Sequence, residues 1–200
     1  TVTRFVQERL VPAEQQVAEQ GRIPEDIVQD MKALGLFGMT IPEEYGGTGL
    51  PLRAAAVVLE EINASCCTAS PAHAQMYIMG TLLRHGSKDQ KQQYLPKIAS
   101  GELRLQAFGV TEPTAGTDTT SIRTTAIRQG DKYVVNGQKV WTSRAEHSDL
   151  MLLLARTTPR DQVAKKTEGM SVFLVDMRKV LGHGLTIRPI RTMINHSTTE

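Results

Sequence analysis

The stretch Gly109-Val110-Thr111-Glu112-Pro113-Thr114-Ala115-Gly116-Thr117-Asp118 decides the fold and the candidate site of this 200-residue chain. It follows an apolar run that begins at Leu105 and has the composition of a β-strand. Pro113, Ala115 and Gly116 then predict a tight turn, in which backbone N–H groups and threonine hydroxyls can face one ligand. Such a turn suits phosphate oxygens or the pyrimidine edge of a flavin. Taken alone, it is also compatible with an ordinary exit from a strand into a loop.

The hydrophobic period changes near residue 104, and the part before it is helical. Ile27, Met31 and Leu34 recur at helical spacing between Pro24 and Gly35, which are typical start and stop residues. Ser87 and Gln90 have the spacing of a capping box. We expect helices over about 3–20, 24–34, 52–65, 71–85 and from 87 onward, with Pro12 arguing against an unbroken first helix and Pro96 disturbing the last one.

After residue 104 the pattern is that of short strands and turns. Asn136-Gly137 predicts a type I′ hairpin that joins 133–135 to 138–141. Further strands are expected over 105–110, 121–128, 150–157, 171–176 and 185–190, with a charged surface loop at 160–168. The predicted fold class is therefore α+β: an all-α helical domain over 1–104, followed by an antiparallel, barrel-like β domain over 105–200.

Composition narrows the class of protein. Hydrophobic residues make up 40% and charged residues 22%, as in ordinary globular proteins, and the net charge of +2 argues against dedicated nucleic-acid binding. Residues 106–200 carry thirteen basic and nine acidic groups, which would suit a phosphate-bearing ligand or simply form a solvated face. The longest apolar run, Leu150–Ala155, is too short to span a bilayer. Neither a secretory signal nor a targeting peptide is recognisable, although a start at Thr1 without methionine is compatible with the loss of one.

The cysteines and histidines point to no metal site. Cys66 and Cys67 are adjacent, which favours two small buried residues in a reducing, intracellular compartment over a redox pair. That compartment would be the cytoplasm in a bacterium, or a mitochondrion or peroxisome in a eukaryote. The five histidines lack the spacing of metal ligands; they are His73, His85, His147, His183 and His196.

The ten residues from Gly109 to Asp118, with Trp141-Thr142-Ser143 about thirty residues later, resemble the acyl-CoA dehydrogenase family. The first segment meets the family pattern at every position, and Trp141 and Ser143 match its second flavin-binding segment. The resemblance extends over the rest of the chain through Pro42–Gly47, His85–Lys91, Tyr94–Pro96, Ala99–Glu102 and Gly184–Ile190.

The resemblance implies FAD as cofactor and an acyl-CoA thioester as substrate, oxidised to the trans-2-enoyl form with hydride transfer to flavin N5. It assigns cofactor binding to Phe108, Val110, Thr111, Gly116, Thr117, Trp141, Thr142 and Ser143, and gives Thr117 a second role in substrate binding. Trp141 would cover one face of the flavin, with core packing as the alternative. Lys165 and Lys166 would lie near the CoA phosphates, unless they are simply solvated.

No catalytic residue is expected within this chain. In the family Glu112 is not the proton acceptor, so we expect it to be structural, and the base comes from a C-terminal helical domain absent from these 200 residues. Residues 191–200 resemble the approach to a strand that is not reached, so the chain is expected to be incomplete. The implied partners are an acyl-CoA, an electron-transfer flavoprotein or similar acceptor, and further copies in a homodimer or homotetramer.

Three alternatives to this function stay open at the level of sequence. An oxidase or flavin monooxygenase could use the same scaffold, and a protein that only binds acyl-CoA or a partner could have lost catalysis. The glycine-rich segment Tyr45–Gly49 could cradle a phosphate, but it lacks the strand and lysine of a P-loop, which favours a simple turn.

Overall fold

The protein divides into two compact units, described here by a computed structural model that covers residues 1–68, 70–193 and 198–199. The first unit contains Thr1–Gln106, and the second contains Ala107–Ile190 with Thr198–Thr199. No helix among the described residues has both the length and the apolar character needed to cross a membrane.

The first unit is helical, as its apolar periodicity predicts. Its helices are α1 (Val2–Phe5), α2 (Val11–Gln20), α3 (Glu25–Ala33), α4 (Leu52–Ala64), α5 (Ser70–His85) and α6 (Lys88–Ala99). A π-helical turn, Val6–Leu10, joins α1 to α2, so the backbone stays helical up to Pro12. The helical backbone therefore continues through Pro12 to Gln20, where we expected Pro12 to interrupt it.

Two local sequence signals of this unit are confirmed. The Ser87 hydroxyl accepts from the N–H of Gln90 at 3.1 Å, and the Gln90 side chain accepts from the N–H of Ser87 at 2.9 Å. The two bonds form the capping box that begins α6. Gly35 follows α3 with a φ of +71°, a conformation that glycine adopts without steric cost.

The core of the helical unit combines apolar residues with one buried amide. Phe37, Met31 and Ile62 are among its fully enclosed side chains. Gln75 of α5 is also fully buried, and its amide donates to the carbonyls of Phe37 and Ile98 at 3.1 and 3.0 Å. Its oxygen accepts from the N–H of Leu105 at 3.2 Å. The side chain thus satisfies three backbone groups that burial removes from water.

The second unit is built on β-strands, the first of which begins in the last two residues of the first unit. They are β1 (Leu105–Gly109), β2 (Thr125–Gln129), β3 (Lys132–Asn136), β4 (Thr142–Ser143), β5 (Leu150–Arg156), β6 (Met170–Asp176), β7 (Pro189–Ile190) and β8 (Thr198–Thr199), with a short helix α7 (Met177–Val180) after β6. One sheet has the order β1-β5-β2-β3, with β6 also paired to β5, and a smaller one has the order β4-β8-β7. Ala107, Met151, Leu153 and Met177 form the core beside β5.

The α+β class is confirmed, but the β part is mixed and open where we expected an antiparallel barrel. Thr125 of β2 and Arg156 of β5 form a parallel pair, held by the bond from the N–H of Arg156 to the carbonyl of Thr124 at 2.8 Å. The described strands close no barrel. Of the strand expected over 185–190, only Pro189–Ile190 forms a strand, while Leu185 makes an isolated β-bridge with Leu181.

The hairpin predicted at Asn136-Gly137 is wrong. β3 pairs with β2 through the two-residue turn Gly130-Asp131, with Gln129 opposite Lys132. Gly130 has the positive φ, +65°, that such a turn requires at its first position. Residues 138–141 therefore leave the sheet after β3 and become available to another part of the unit.

The C-terminal segment also differs from expectation. Thr198 and Thr199 do form a strand, since they pair with β4 and β7. The predictions that fall on residues 194–197 and 200, His196 among them, lie outside the described residues.

Candidate functional site

The turn predicted from Pro113 and Gly116 is present. The N–H of Glu112 donates to the carbonyl of Ala115 at 3.0 Å, and the N–H of Ala115 donates back to Glu112 at 3.1 Å. Pro113 and Thr114 form its exposed tip, while Ala115 is buried. The segment therefore reverses direction within four residues and places Val110–Thr111 and Gly116–Thr117 on its two arms.

The buried side chain of Glu112 ties this turn to the backbone of Arg123 and Thr124. Its side chain is 5% exposed, and its two carboxylate oxygens accept from the N–H groups of Arg123 and Thr124 at 2.6 and 2.9 Å. Burial alone would raise the pKa of Glu112, but hydrogen bonds from Thr124, Arg123 and the Lys139 ammonium outweigh it and lower the pKa to about 2. Glu112 thus holds two backbone N–H groups and one ammonium beside the turn.

Lys139 joins the turn to the segment that precedes Trp141. Its ammonium donates to Glu112 Oε1 and to the carbonyl of Val110, both at 2.9 Å, and its side chain is only 10% exposed. Burial lowers the pKa of Lys139, and the charge of Glu112 opposes that shift. The N–H of Val140 donates to the carbonyl of Thr111 at 2.9 Å. The two residues that precede Trp141 are therefore in direct contact with the Val110–Glu112 part of the turn.

The arms of the turn keep hydrogen-bond donors that none of the described residues engages. Within the described residues, no hydrogen bond engages the N–H groups of Val110, Thr111, Gly116 and Thr117, or the hydroxyls of Thr111, Thr117 and Ser143. Polar groups held in a folded turn without protein partners are available to a ligand or water. At Gly116 an added Cβ would meet no atom within 4 Å, so packing does not require glycine there.

The glycine-rich segment Tyr45–Gly49 shows the opposite situation. The N–H groups of Gly46, Gly47, Thr48 and Gly49 all donate to backbone carbonyls of the same unit. A Cβ on Gly47 would lie 2.6 Å from the carbonyl carbon of Ile41. The segment is a tightly bonded turn with no spare donors, so the phosphate alternative is wrong.

Trp141 has an unusual backbone and an open side chain. Its φ is +60°, a left-handed conformation that costs a bulky residue about 1–2 kcal/mol, and its side chain is 61% exposed. Non-glycine residues in this region concentrate at binding sites. Of its neighbours, Thr142 is buried in β4 and Ser143 is exposed. The indole is therefore not packed in the core of this chain, which was the alternative reading of its role.

Phe108 and the Thr117–Asp118 end of the turn complete the predicted set. Phe108 is partly buried in β1. Hydrogen bonds from Ser121 and Thr120 lower the pKa of Asp118, with a smaller contribution from Lys166. No hydrogen bond within the described part of the chain joins Gly116 or Thr117 to Trp141, Thr142 or Ser143.

Arg156 fixes the segment that follows the turn. Its buried guanidinium donates to the carbonyls of Thr120 and Ile122 on one side and of Lys166 and Glu168 on the other. A single side chain thereby connects the end of the turn to the loop that carries Lys165 and Lys166, which are both exposed.

Comparison with known proteins places the chain in a family. Residues 1–102 match the acyl-CoA dehydrogenase N-terminal domain and residues 107–200 match the middle domain, so the chain belongs to the acyl-CoA dehydrogenase family. A glutaryl-CoA dehydrogenase of Desulfococcus multivorans is 37% identical over 187 residues, which cover 90% of this chain and 46% of the relative. The chain spans about half the length of the curated relatives it matches.

Solved structures agree with that assignment. A glutaryl-coenzyme A dehydrogenase in complex with glutaryl-CoA has a TM-score of 0.86 and 33% identity, covering 99% of this chain and 50% of its own. The prolyl acyl carrier protein oxidase AnaB has a TM-score of 0.85 and 27% identity, covering 99% of this chain and 52% of its own. A helical domain followed by a mixed sheet is thus the family fold.

The donor set fits the flavin cofactor that the family implies. The pyrimidine edge and the pyrophosphate of FAD are rich in acceptors, and the two arms of the turn offer N–H and O–H donors without partners in the described chain. The exposed indole of Trp141 offers the apolar surface that a tricyclic ring requires. The open space at Gly116 admits close approach of a ligand to the backbone.

Two important residues escaped the sequence prediction. Lys139 was placed in a hairpin strand, although a buried glutamate in a predicted turn signals the need for a nearby cation. Arg156 ends the apolar run of β5, and a charge at the end of such a run could have been read as a buried anchor. No group of three His, Cys, Asp or Glu residues close enough to hold a metal ion occurs in the described ranges.

Proposed function

We propose that this chain binds FAD and takes part in the α,β-dehydrogenation of an acyl-CoA thioester to its trans-2-enoyl form. The observation that carries the proposal is the set of donors on the 110–117 turn that no described residue engages. The carbonyls of the same turn accept from Lys139 and Val140, which precede Trp141. The match to both family domains supports it.

Each part of the site has a defined task under this proposal. FAD, when bound, would accept the hydride removed from Cβ of the substrate. The N–H groups of Val110 and Thr111 would donate to the acceptor edge of the flavin, where negative charge increases on reduction. Gly116 and Thr117 would hold the pyrophosphate, and Thr117 would also contact the substrate. Trp141 would exclude water from one ring face, with Thr142 and Ser143 beside it.

Glu112 is unsuited to take the α-proton. A carboxylate with a pKa of about 2 is a weak base, and its oxygens are engaged by two N–H groups and an ammonium. We therefore assign no catalytic base to this chain and propose that the carboxylate lies outside these 200 residues. Thioester binding, an electron-transfer flavoprotein as acceptor and assembly into a homo-oligomer complete the proposal.

The test is to purify the protein at its natural full length and record its flavin spectrum. Anaerobic addition of acyl-CoAs of different chain lengths should bleach the flavin band, and mass spectrometry should find a product lighter by two hydrogens. A protein that carries no flavin and cannot be reconstituted with FAD would contradict the proposal.

A matched pair of glycine variants tests the location of the site. Gly116→Val should weaken FAD binding by about tenfold or more, because the side chain would fill the space beside the donors. Gly80→Val, at a helical position that is equally open in this structure, should retain normal binding. Equal FAD affinity in the two variants would place the cofactor elsewhere.

The likeness to AnaB keeps an oxidase as a second candidate. The two functions differ in how the reduced flavin meets oxygen. A dehydrogenase should be reoxidised slowly by oxygen and quickly by an electron-transfer flavoprotein or an artificial dye, whereas rapid reoxidation by oxygen with formation of hydrogen peroxide would favour the oxidase.

A further inference from the structure

Lys139 contacts the backbone of the turn at a point from which it can orient the N–H of Thr111. Its ammonium holds the carbonyl of Val110, which belongs to the same peptide unit as the N–H of Thr111. The described residues include no cis peptide bond, so the C=O and N–H of this unit point in opposite directions. Fixing the Val110 carbonyl towards Lys139 therefore fixes the Thr111 N–H away from it.

The neighbours of Lys139 hold its side chain in this position. The aliphatic stem lies against Gly109, where an added Cβ would come within 3.3 Å of Lys139 Cγ. The ammonium is held by Glu112, and Glu112 is itself held by the backbone of Arg123 and Thr124. The adjacent N–H of Val140 fixes the carbonyl of Thr111. Both carbonyls of the 110–111 segment are thus occupied by residues 139–140, and its N–H groups are not.

We propose that Lys139 is a positioning residue for the cofactor: together with Glu112 it orients the Val110–Thr111 peptide so that the Thr111 N–H is presented to the flavin. The inference rests on the proposed function, since it concerns the same FAD site. Lys139 makes no contact with the ligand in this scheme and acts through the backbone of Thr111.

A purely structural role for Lys139 predicts a different outcome from a positioning role. If the ammonium only neutralises Glu112, removal of both charges should restore the site. If it orients the Val110–Thr111 peptide, the carbonyl of Val110 stays without its donor after both charges are removed, and the cofactor still binds poorly.

The experiment compares Lys139→Met, Glu112→Gln and the double variant in the full-length protein, with the exposed Lys132→Met as control. FAD affinity of the apoprotein, the flavin reduction potential and the urea unfolding midpoint are measured for each. Lys139→Met and the double variant should bind FAD at least about tenfold more weakly than the wild type, with a more negative potential. Glu112→Gln keeps the Lys139 ammonium that donates to Val110 but removes the charge that holds it, so it should weaken FAD binding less than Lys139→Met does; the exposed Lys132→Met should stay within about threefold.

The double variant gives the decisive result, because it carries no uncompensated buried carboxylate and should recover part of the unfolding midpoint lost in Lys139→Met. A double variant with wild-type FAD affinity and potential would overturn the proposal, as would a Glu112→Gln variant as impaired as Lys139→Met. A wild-type protein that binds no FAD would instead reject the proposed function, which separates the two failures.

Discussion

At the scale of single residues, Glu112 links the candidate site to stability. Its folded-state pKa of about 2 lies below the ordinary value of 4.5. A lowered carboxylate pKa contributes stability above the unfolded-state value, and this contribution is lost as the pH falls towards the folded-state value. The difference between the two pKa values corresponds to about 3 kcal/mol in the free energy of unfolding at neutral pH.

We therefore predict that the free energy of unfolding of the wild type falls between about pH 5 and pH 2 more steeply than that of Glu112→Gln. Chemical denaturation at several pH values measures the slope for each protein. Glu60→Gln, a change at an exposed position of α4, is the control and should follow the wild-type curve. Parallel curves for the wild type and Glu112→Gln would show that Glu112 ionises equally in the folded and unfolded chains.

Gln75 gives a second prediction at this scale. Gln75→Leu keeps the volume but leaves two carbonyls and one N–H unpaired in the core. We expect a loss of about 2–4 kcal/mol in the free energy of unfolding, measured with urea. Gln92→Leu, at an exposed position of α6, should change it by less than about 0.5 kcal/mol. Equal effects of the two substitutions would mean that the Gln75 amide has no net role in stability.

At the scale of elements, the β2–β3 hairpin differs most clearly from what the sequence predicted, because its turn lies at Gly130-Asp131 and not at Asn136-Gly137. Gly130 occupies its turn in open space, so Gly130→Ala is opposed only by the positive φ and should destabilise by about 1 kcal/mol. Gly130→Asn should cost less, since asparagine tolerates this conformation. Gly137→Ala should cost more than either, because its Cβ would lie 2.7 Å from the Cα of Thr124.

Urea unfolding of the three variants ranks these costs. The order expected from a turn at Asn136-Gly137 differs, since there the change at Gly130 would be nearly neutral. A neutral Gly130→Ala would therefore contradict the observed β2–β3 pairing.

The elements that the sequence predicted share a common property: their signals are local. The α6 capping box, the apolar period of α3 and the apolar runs of β5 and β6 depend on residues within one turn or strand. Asn136-Gly137 is also a strong local signal, but Gly130-Asp131 offers a competing turn six residues earlier. The contact of Gly137 with Thr124 and the pairing of β3 with β2 decided between them, and neither is visible in a short window.

For the candidate site, as for the fold, the local features were predictable and the long-range contacts were not. The tight turn at Glu112–Ala115 follows from the order of residues along the chain, whereas the nearness of this turn to Trp141 was implied by the family resemblance alone. The ion pair between Glu112 and Lys139 spans 27 residues and depends on where residues 138–141 go after β3. Because the hairpin prediction assigned those residues to a strand, the pairing of Lys139 with Glu112 was not predicted.

At the scale of the whole molecule, the two units differ in how their polar groups are used. The helical unit satisfies its glycine-rich turn internally and buries Gln75, so its polar groups serve stability. The β unit leaves four N–H donors of one turn unused within the described residues, and it exposes the indole of Trp141, whose neighbour Val140 donates to the carbonyl of Thr111. Under the proposed function, these donors and Trp141 bind the same flavin.

The most direct measurement of that claim is the quenching of tryptophan fluorescence when FAD is titrated into the apoprotein at its natural full length. Trp141 is the only tryptophan in these 200 residues, and comparison with Trp141→Phe isolates its emission from that of any other indole. The account predicts that FAD quenches the component that is present in the wild type and missing in Trp141→Phe. If saturating FAD leaves that component unquenched, Trp141 does not lie against the flavin and the central claim is contradicted.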